Sequence, residues 1–258
     1  MGDDLQVSPR VRTAIAAAQR CNVTVTIATG RMFQVTAQFA RELGIGAPLI
    51  CYQGALIQAP DGPAPLYLAT MERPLTREVL ALAKERGWLL VLYSAYQAFV
   101  ARRSYSRWFL DILAREPLTW VDDLAEPLRE HAPVKFIAIA EPAQADQIEA
   151  ELALHLDGRL AVVRSHAIVV EGYPLGVSKG DALARLAAHL GIAQLEVMAV
   201  GDHDNDVSML AWAGVGVAMG NASPAARAVA DWLAPTVAQD GAAAAIEHFI
   251  LANGGGEL

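Results

Sequence analysis

The sequence predicts an α/β fold in which a helix-covered parallel sheet is assembled from two chain segments, with an α+β domain inserted between them. Three observations carry this. First, β-branched or apolar runs near 23–28, 48–52, 197–200 and 215–219 each lead into a loop, and all but the second into a helical stretch, the order that builds parallel sheets. Second, between 74 and 172 the strand-like runs follow one another closely enough for antiparallel pairing. Third, strand–helix alternation resumes after Gly172-Tyr173-Pro174. The core is therefore assigned to 1–73 and 173–258, and the inserted domain to 74–172.

The elements follow in order. Ser8-Pro9 ahead of Val11, Ile15 and Ala18 starts a helix, with Ser8 as N-cap and Pro9 in the first position. The run Val23 to Ala28 predicts a strand buried on both faces, ending at Thr29-Gly30-Arg31. A helix over 34–43 stops at Gly44, and a strand over 48–52 follows. Asp61-Gly62-Pro63 between two short apolar runs predicts a hairpin. The inserted domain predicts helices at 75–86, 105–115 and 143–156 among strands at 88–93, 98–101, 134–140, 160–164 and 167–170. A helix over 178–190, a strand over 197–200, a helix through Leu210, a strand over 215–219 and a helix from Ser223-Pro224 complete the core. The tail Asn253-Gly254-Gly255-Gly256 is expected to fray.

Composition narrows the function classes. Of 258 residues, 54% are hydrophobic and 19% charged, which suits a large core and disfavours disorder. With 28 acidic and 20 basic side chains the formal charge is -8, so nothing general attracts nucleic acid or an anionic membrane. The first ten residues are polar and charged, unlike a signal peptide, and no apolar run reaches the roughly 18 residues of a membrane helix. A soluble cytoplasmic protein is expected. Cys21 and Cys51 have neither metal nor redox spacing and are expected to be unpaired, with Cys51 buried. Oligomeric state is not legible.

Four loops hold chemistry-bearing residues, all at or just after core strands or at a helix start, where open α/β sheets place ligands. Thr29-Gly30-Arg31 offers a hydroxyl and backbone N–H groups to an anion, although a capping threonine in an ordinary turn explains it as well. Gln53-Gly54 by itself is a turn glycine and its neighbour. Lys179, in the first turn of a helix, opposes the helix dipole; a bound anion would compensate, and a solvated surface lysine is the equal alternative. Gly201-Asp202-His203-Asp204-Asn205-Asp206 is the most informative. Three carboxylates crowd one strand-to-helix loop, and their repulsion calls for a cation, a helix N-terminus or water. Oxygen donors of this kind suit Mg²⁺, with Asp202 at the strand end and Asp206 four residues on, on the same side. The plainer reading is an N-cap with solvated neighbours. His203 reads as a loop residue rather than a base.

Together these loops resemble the haloacid dehalogenase (HAD) superfamily, and specifically its Cof-like (type IIB) phosphatases, over nearly the whole chain. Ile27 to Arg31 looks like the family's second motif, Ser178-Lys179-Gly180 like its third and Gly201 to Asp206 like its fourth. Tyr52-Gln53-Gly54-Ala55 is similar to its Asn-Gly-Ala element, with Gln53 in place of Asn, and Met219-Gly220-Asn221-Ala222 matches the element after the next strand. The resemblance implies a Rossmann-like core with an inserted cap, and a Mg²⁺-dependent phosphatase acting on a small phosphorylated metabolite such as a sugar phosphate. It implies an aspartate that attacks phosphorus and forms an aspartyl-phosphate, and a second aspartate as acid and base. Carried over, Thr29 and Lys179 are the catalytic candidates. Thr29, Gly30, Arg31, Gln53, Gly54, Lys179 and Asn205 would surround phosphate and substrate, and Asp202 and Asp206 would hold the metal. The cap would select the substrate; Tyr93, Tyr96, Arg102, Arg103 and Trp108 are its candidates, each also readable as core or solvated surface.

One element departs from the pattern. The family's first motif, Asp-x-Asp-Gly-Thr, belongs ahead of the Ser8-Pro9 helix and is absent. Asp3 and Asp4 lack that spacing and follow no strand. Either the natural chain starts earlier and is active, or this is a shortened, inactive relative; the intact remaining motifs favour the first. As written, the chain is expected to be inactive. A catalytically dead phosphate- or sugar-phosphate-binding protein and a phosphomutase are the other readings.

Overall fold

A computed structural model describes residues 7–103, 105–113 and 117–252. Asp3, Asp4, the end of the helical stretch expected to reach Arg115 and the glycine-rich tail lie outside the described residues. In chain order the elements are α1 (Pro9–Arg20), α2 (Phe33–Glu42), β1 (Leu49–Cys51), β2 (Leu56–Gln58), β3 (Tyr67–Leu68), α3 (Arg73–Arg86), β4 (Leu89–Ser94), β5 (Ala98–Ala101), α4 (Arg107–Leu113), β6 (Leu118–Val121), β7 (Pro133–Ile139), α5 (Pro142–Leu156), β8 (Ala161–His166), β9 (Val169–Tyr173), α6 (Lys179–Leu190), β10 (Met198–Gly201), α7 (Val207–Trp212), β11 (Val215–Ala218), α8 (Pro224–Val229), β12 (Trp232–Leu233) and α9 (Gly241–Ile246). Short 3-10 turns join several of them.

The chain separates into two compact units, one of residues 1–67 with 178–258 and the other of residues 68–177. In the first unit, β10, β11 and β12 form a parallel sheet, and β1, β2 and β3 form a second small sheet. Side chains of a strand alternate between faces, and β10 obeys this. Ala199 joins a cluster with Ala182, Leu183 and Leu186 of α6 and Met209 and Leu210 of α7, while Met198 and Val200 pack with Val217, Ala245 and Trp232 on the opposite side. Ser8 caps α1 by accepting the Val11 N–H at 3.2 Å, and Ser178 caps α6 by accepting the Asp181 N–H at 3.1 Å.

Among the described residues, the strand expected over 23–28 forms no ladder. Its pairing is one parallel bridge, Ala28 with Ile50, carried by Ile50 N–H to Ile27 C=O at 2.9 Å and Thr29 N–H to Ile50 C=O at 2.8 Å. The physical reason is its neighbour. β1 is three residues long and then turns at Tyr52, so it cannot extend the ladder, and no partner lies on the other side among the described residues. The far edge of β10 is likewise unpaired among the described residues. Ala28, Ile50 and Ile57 nevertheless share the apolar cluster of Ala199 and Ala218 around α6.

The second unit is a six-stranded mixed sheet in the order β6-β5-β4-β7-β9-β8. Apolar side chains of α3 (Val79, Leu82) and α5 (Ile148, Leu152) meet Leu90, Leu92, Phe136 and Ala138 on one face of the sheet. β6, which pairs in parallel with β5, escaped the sequence reading. Its four residues show no alternation of burial, and so short a run is not separable from loop. From neighbouring strands β7 and β9, Lys135 and Glu171 form a buried ion pair at 2.9 Å, with the Lys135 ammonium 5.0 Å from the centre of the Tyr93 ring. Tyr93 is therefore packed inside this unit, whereas Tyr96 and Arg102 are exposed and Arg103 donates to the Trp88 carbonyl at 2.7 Å.

Both cysteines are free; Cys21 is exposed and Cys51 buried. Burial pushes the Cys51 thiol up to about 12, against a smaller opposing pull from its hydrogen bond with Thr36. At pH 8 a thiol-titrating reagent is therefore expected to modify only Cys21 in the folded protein and both thiols after unfolding. The raised value also removes stability as pH climbs from the ordinary thiol range toward 12, because only the unfolded chain ionises readily there. Two fast-reacting thiols in the folded state would show that β1 opens on that timescale.

Candidate active site

The loop after β10 is built around one buried carboxylate. A Cβ on Gly201 would lie 2.5 Å from the Asp206 Cβ, so glycine is what lets the loop close this tightly. Asp206 Oδ2 accepts two backbone N–H groups, from Asp202 at 2.9 Å and His203 at 3.0 Å. Its Oδ1 accepts the Lys179 ammonium at 2.5 Å. Asp206 is 4% and Lys179 7% exposed, so this is a buried, charge-assisted pair whose partners each need the other. Lys179 opens α6, and the lysine that opposes the helix dipole is matched by this carboxylate.

Asp202 is oriented differently. Asn221 Nδ2 donates to its Oδ2 at 3.0 Å, and Asn221 is itself fixed because its Oδ1 accepts the Val237 N–H at 3.0 Å. Asp202 Oδ1 lies 2.7 Å from His203 Nδ1. Ser223 donates to Asp204 Oδ1 at 2.5 Å, tying the third carboxylate to the start of α8. The three aspartates thus divide: Asp206 is buried and paired, Asp204 is tied down at the surface, and Asp202 is half-buried with lone pairs left for a ligand.

Gln53 is the junction with the other loops. Its backbone is left-handed, at φ 61° and ψ 15°, and its N–H donates to the Thr29 carbonyl at 3.1 Å. Its Oε1 accepts from Asn205 Nδ2 at 3.0 Å. A Cβ on Gly30 would sit 2.5 Å from the Gln53 carboxamide, and one on Gly54 would sit 2.3 Å from the Ser178 carbonyl oxygen. Gly30, Gln53, Gly54, Lys179, Asp202, Asn205 and Asp206 therefore form one connected assembly within the first unit. Thr29 joins it through its carbonyl; its Oγ1 accepts the Arg31 N–H at 3.2 Å, and Arg31 is exposed. Asn221 and Ser223 were given no role from sequence. The Gly-Asn-Ala element flagged their neighbourhood, but only the fold puts them beside Asp202 and Asp204.

Residues 1–246 match the model of the haloacid dehalogenase-like hydrolase family. The chain belongs to that family. It is 29% identical over 255 residues to the 5-amino-6-(5-phospho-D-ribitylamino)uracil phosphatase YcsE of Bacillus subtilis, across 97% of this chain and 92% of that one. Among solved structures it superposes on a haloacid dehalogenase-like hydrolase from Bacteroides thetaiotaomicron with a TM-score of 0.86 at 24% identity, covering 97% and 95% of the two chains. A HAD subclass IIB sugar phosphatase gives a TM-score of 0.80 at 21% identity over 95% and 92%. These likenesses establish the HAD fold, an α/β fold with a parallel-strand core, and the family makes this an enzyme of HAD phosphatase type.

The donor set of this HAD chain suits a hard divalent cation. Ligand atoms of Asp202, His203 and Asp206 lie within 4.8 Å of one another. Asp202 offers a carboxylate already held by Asn221, as metal-ligating carboxylates usually are by a second partner. Asp206 has one lone pair of Oδ1 remaining beside Lys179, which suits an outer or water-bridged contact better than a primary one. No helix among the described residues is long and apolar enough to cross a membrane.

Proposed function

We propose that this chain carries the phosphate-binding and metal-binding residues of a Mg²⁺-dependent phosphomonoester hydrolase that acts on a small phosphorylated metabolite such as a sugar phosphate. The observation that carries it is the buried Lys179–Asp206 pair set against the half-buried, ligand-ready Asp202 at the end of a parallel strand. In this reading Lys179, held by Asp206, supplies fixed positive charge to the phosphoryl oxygens, where charge builds up in the transition state. Thr29 and the backbone of Gly30 and Arg31 take the remaining oxygens, and Gln53 and Asn205 keep those loops in register with each other. Mg²⁺, when bound, would offset charge on the phosphoryl group; Asp202 would hold it directly and Asp206 through water. The ribitylamino-uracil phosphate named for YcsE and the sugar phosphatase activity named for the subclass IIB protein support a polyol or sugar phosphate as substrate.

The attacking carboxylate is not among the described residues. In p-nitrophenyl phosphate assays with Mg²⁺, the 258-residue chain is expected to show no turnover. The same chain preceded by a strand ending in Asp-x-Asp-Gly-Thr is expected to turn over. Turnover by the shorter chain that Lys179→Met abolishes would refute the missing-nucleophile part. An extended chain that binds sugar phosphate without hydrolysing it would favour a binding protein, and release of an isomer rather than free phosphate would favour a phosphomutase.

A further inference from the structure

We infer that His203 is itself a ligand of the ion held by Asp202, and that its imidazole lets the site take borderline cations such as Zn²⁺ and Co²⁺ as well as Mg²⁺. The inference rests on the reading of the 201–206 loop as a metal site. His203 Nδ1 stands 2.7 Å from Asp202 Oδ1. Two adjacent ligand atoms at metal distances of about 2.0–2.2 Å are separated by about 3.0–3.4 Å, so the pair needs to open by about 0.3–0.7 Å to share an ion.

The rest of the loop is arranged to permit that. The backbone N–H groups of Asp202 and His203 both donate to Asp206 Oδ2, which pins the two consecutive residues in one turn and holds their side chains together. Asn221 holds Asp202 Oδ2, leaving Oδ1 as the oxygen next to the imidazole. The His203 side chain is 71% exposed, so its ring turns without disturbing packing. Its competing role is to donate one hydrogen bond to Asp202, which orients the carboxylate but contributes no ligand atom. The two roles differ in metal preference. An imidazole nitrogen favours Zn²⁺, Ni²⁺ and Co²⁺, whereas Mg²⁺ takes oxygen and gains little from it.

The test uses the full chain, with Co²⁺ and Mg²⁺ titrated separately by calorimetry and the Co²⁺ form examined by proton NMR in H₂O and in D₂O. His203→Gln keeps a side-chain N–H for Asp202 but removes the imidazole, and Asp202→Asn removes the charged oxygen ligand. For the parent, a hyperfine-shifted, exchangeable imidazole N–H resonance is expected, absent in D₂O and in His203→Gln. His203→Gln is expected to weaken Co²⁺ binding by about tenfold or more and to change Mg²⁺ binding by less than about twofold. If His203→Gln retains the resonance and the Co²⁺ affinity while Asp202→Asn loses Co²⁺, the imidazole is not a ligand, though the metal site stands. Equal losses of Co²⁺ and Mg²⁺ affinity in His203→Gln would also overturn the proposal, showing an orienting hydrogen bond instead. If Asp202→Asn binds Co²⁺ as the parent does, the metal reading of the loop falls as well.

Discussion

Lys179→Met is expected to lower the unfolding free energy by about 3–5 kcal/mol, the usual cost of stranding one member of a buried ion pair. Methionine keeps most of the lysine stem's volume, so packing changes little and the loss reports the charge. What remains is Asp206, 4% exposed, with a carboxylate that has lost its ammonium partner. The second variant that completes the experiment is Lys179→Met with Asp206→Asn. The asparagine carbonyl still accepts the N–H groups of Asp202 and His203, while the stranded charge disappears. The double variant should therefore recover more than half of the loss. Guanidinium unfolding followed by tryptophan fluorescence measures both. A single variant within about 0.5 kcal/mol of the parent would mean that the pair is solvated in solution and contributes as little as a surface pair.

Gly54→Ala is the other large effect. At φ 108° this residue occupies backbone space that an L side chain rarely adopts, and the added methyl would lie 2.3 Å from the Ser178 carbonyl oxygen and 2.8 Å from its carbon. The left-handed strain is of order 1–3 kcal/mol, and the overlap must be relieved by moving backbone rather than a flexible side-chain tip. Together these should lower stability by about 3 kcal/mol or more, a fall in Tm of about 6 °C or more for a chain of this size. The segment pushed away is the N-cap of α6, so Lys179 leaves Asp206 and the variant should also lose phosphate affinity. Gly46→Ala serves as the control in the same unit, since no atom lies within 4 Å of its added methyl and its backbone is unstrained. Equal melting temperatures for the two variants would show that the approach of Gly54 to α6 is not a fixed feature of the fold.

The match between Lys179 and Asp206 also shows where reading the chain stopped. From sequence, Lys179 stood equally as an anion-binding group and as a solvated lysine, because a first-turn lysine is anomalous only if it is buried. Burial is set by α6 packing against the loop after β10, across a separation of 27 residues. Asp206 was legible as one of three crowded carboxylates. Which of the three would be neutralised, tied down or left for a ligand was not, since that depends on Lys179, Ser223 and Asn221 arriving from other parts of the chain. Gln53 was the weakest of the loop residues in isolation, and its left-handed backbone and bond to Asn205 make it the joint between loops.

By itself the sequence determined the α/β order of elements and the helix starts at Ser8 and Ser178, and it marked the loops that the proposed chemistry uses. These are local properties, written in periodicity, capping residues and glycines within a few positions of one another. Only the tertiary structure decided that 23–28 makes a single bridge instead of a ladder, because a strand exists only as far as its neighbours reach. It also decided which carboxylate is free for a ligand, because charge pairing and burial are fixed by groups far apart along the chain.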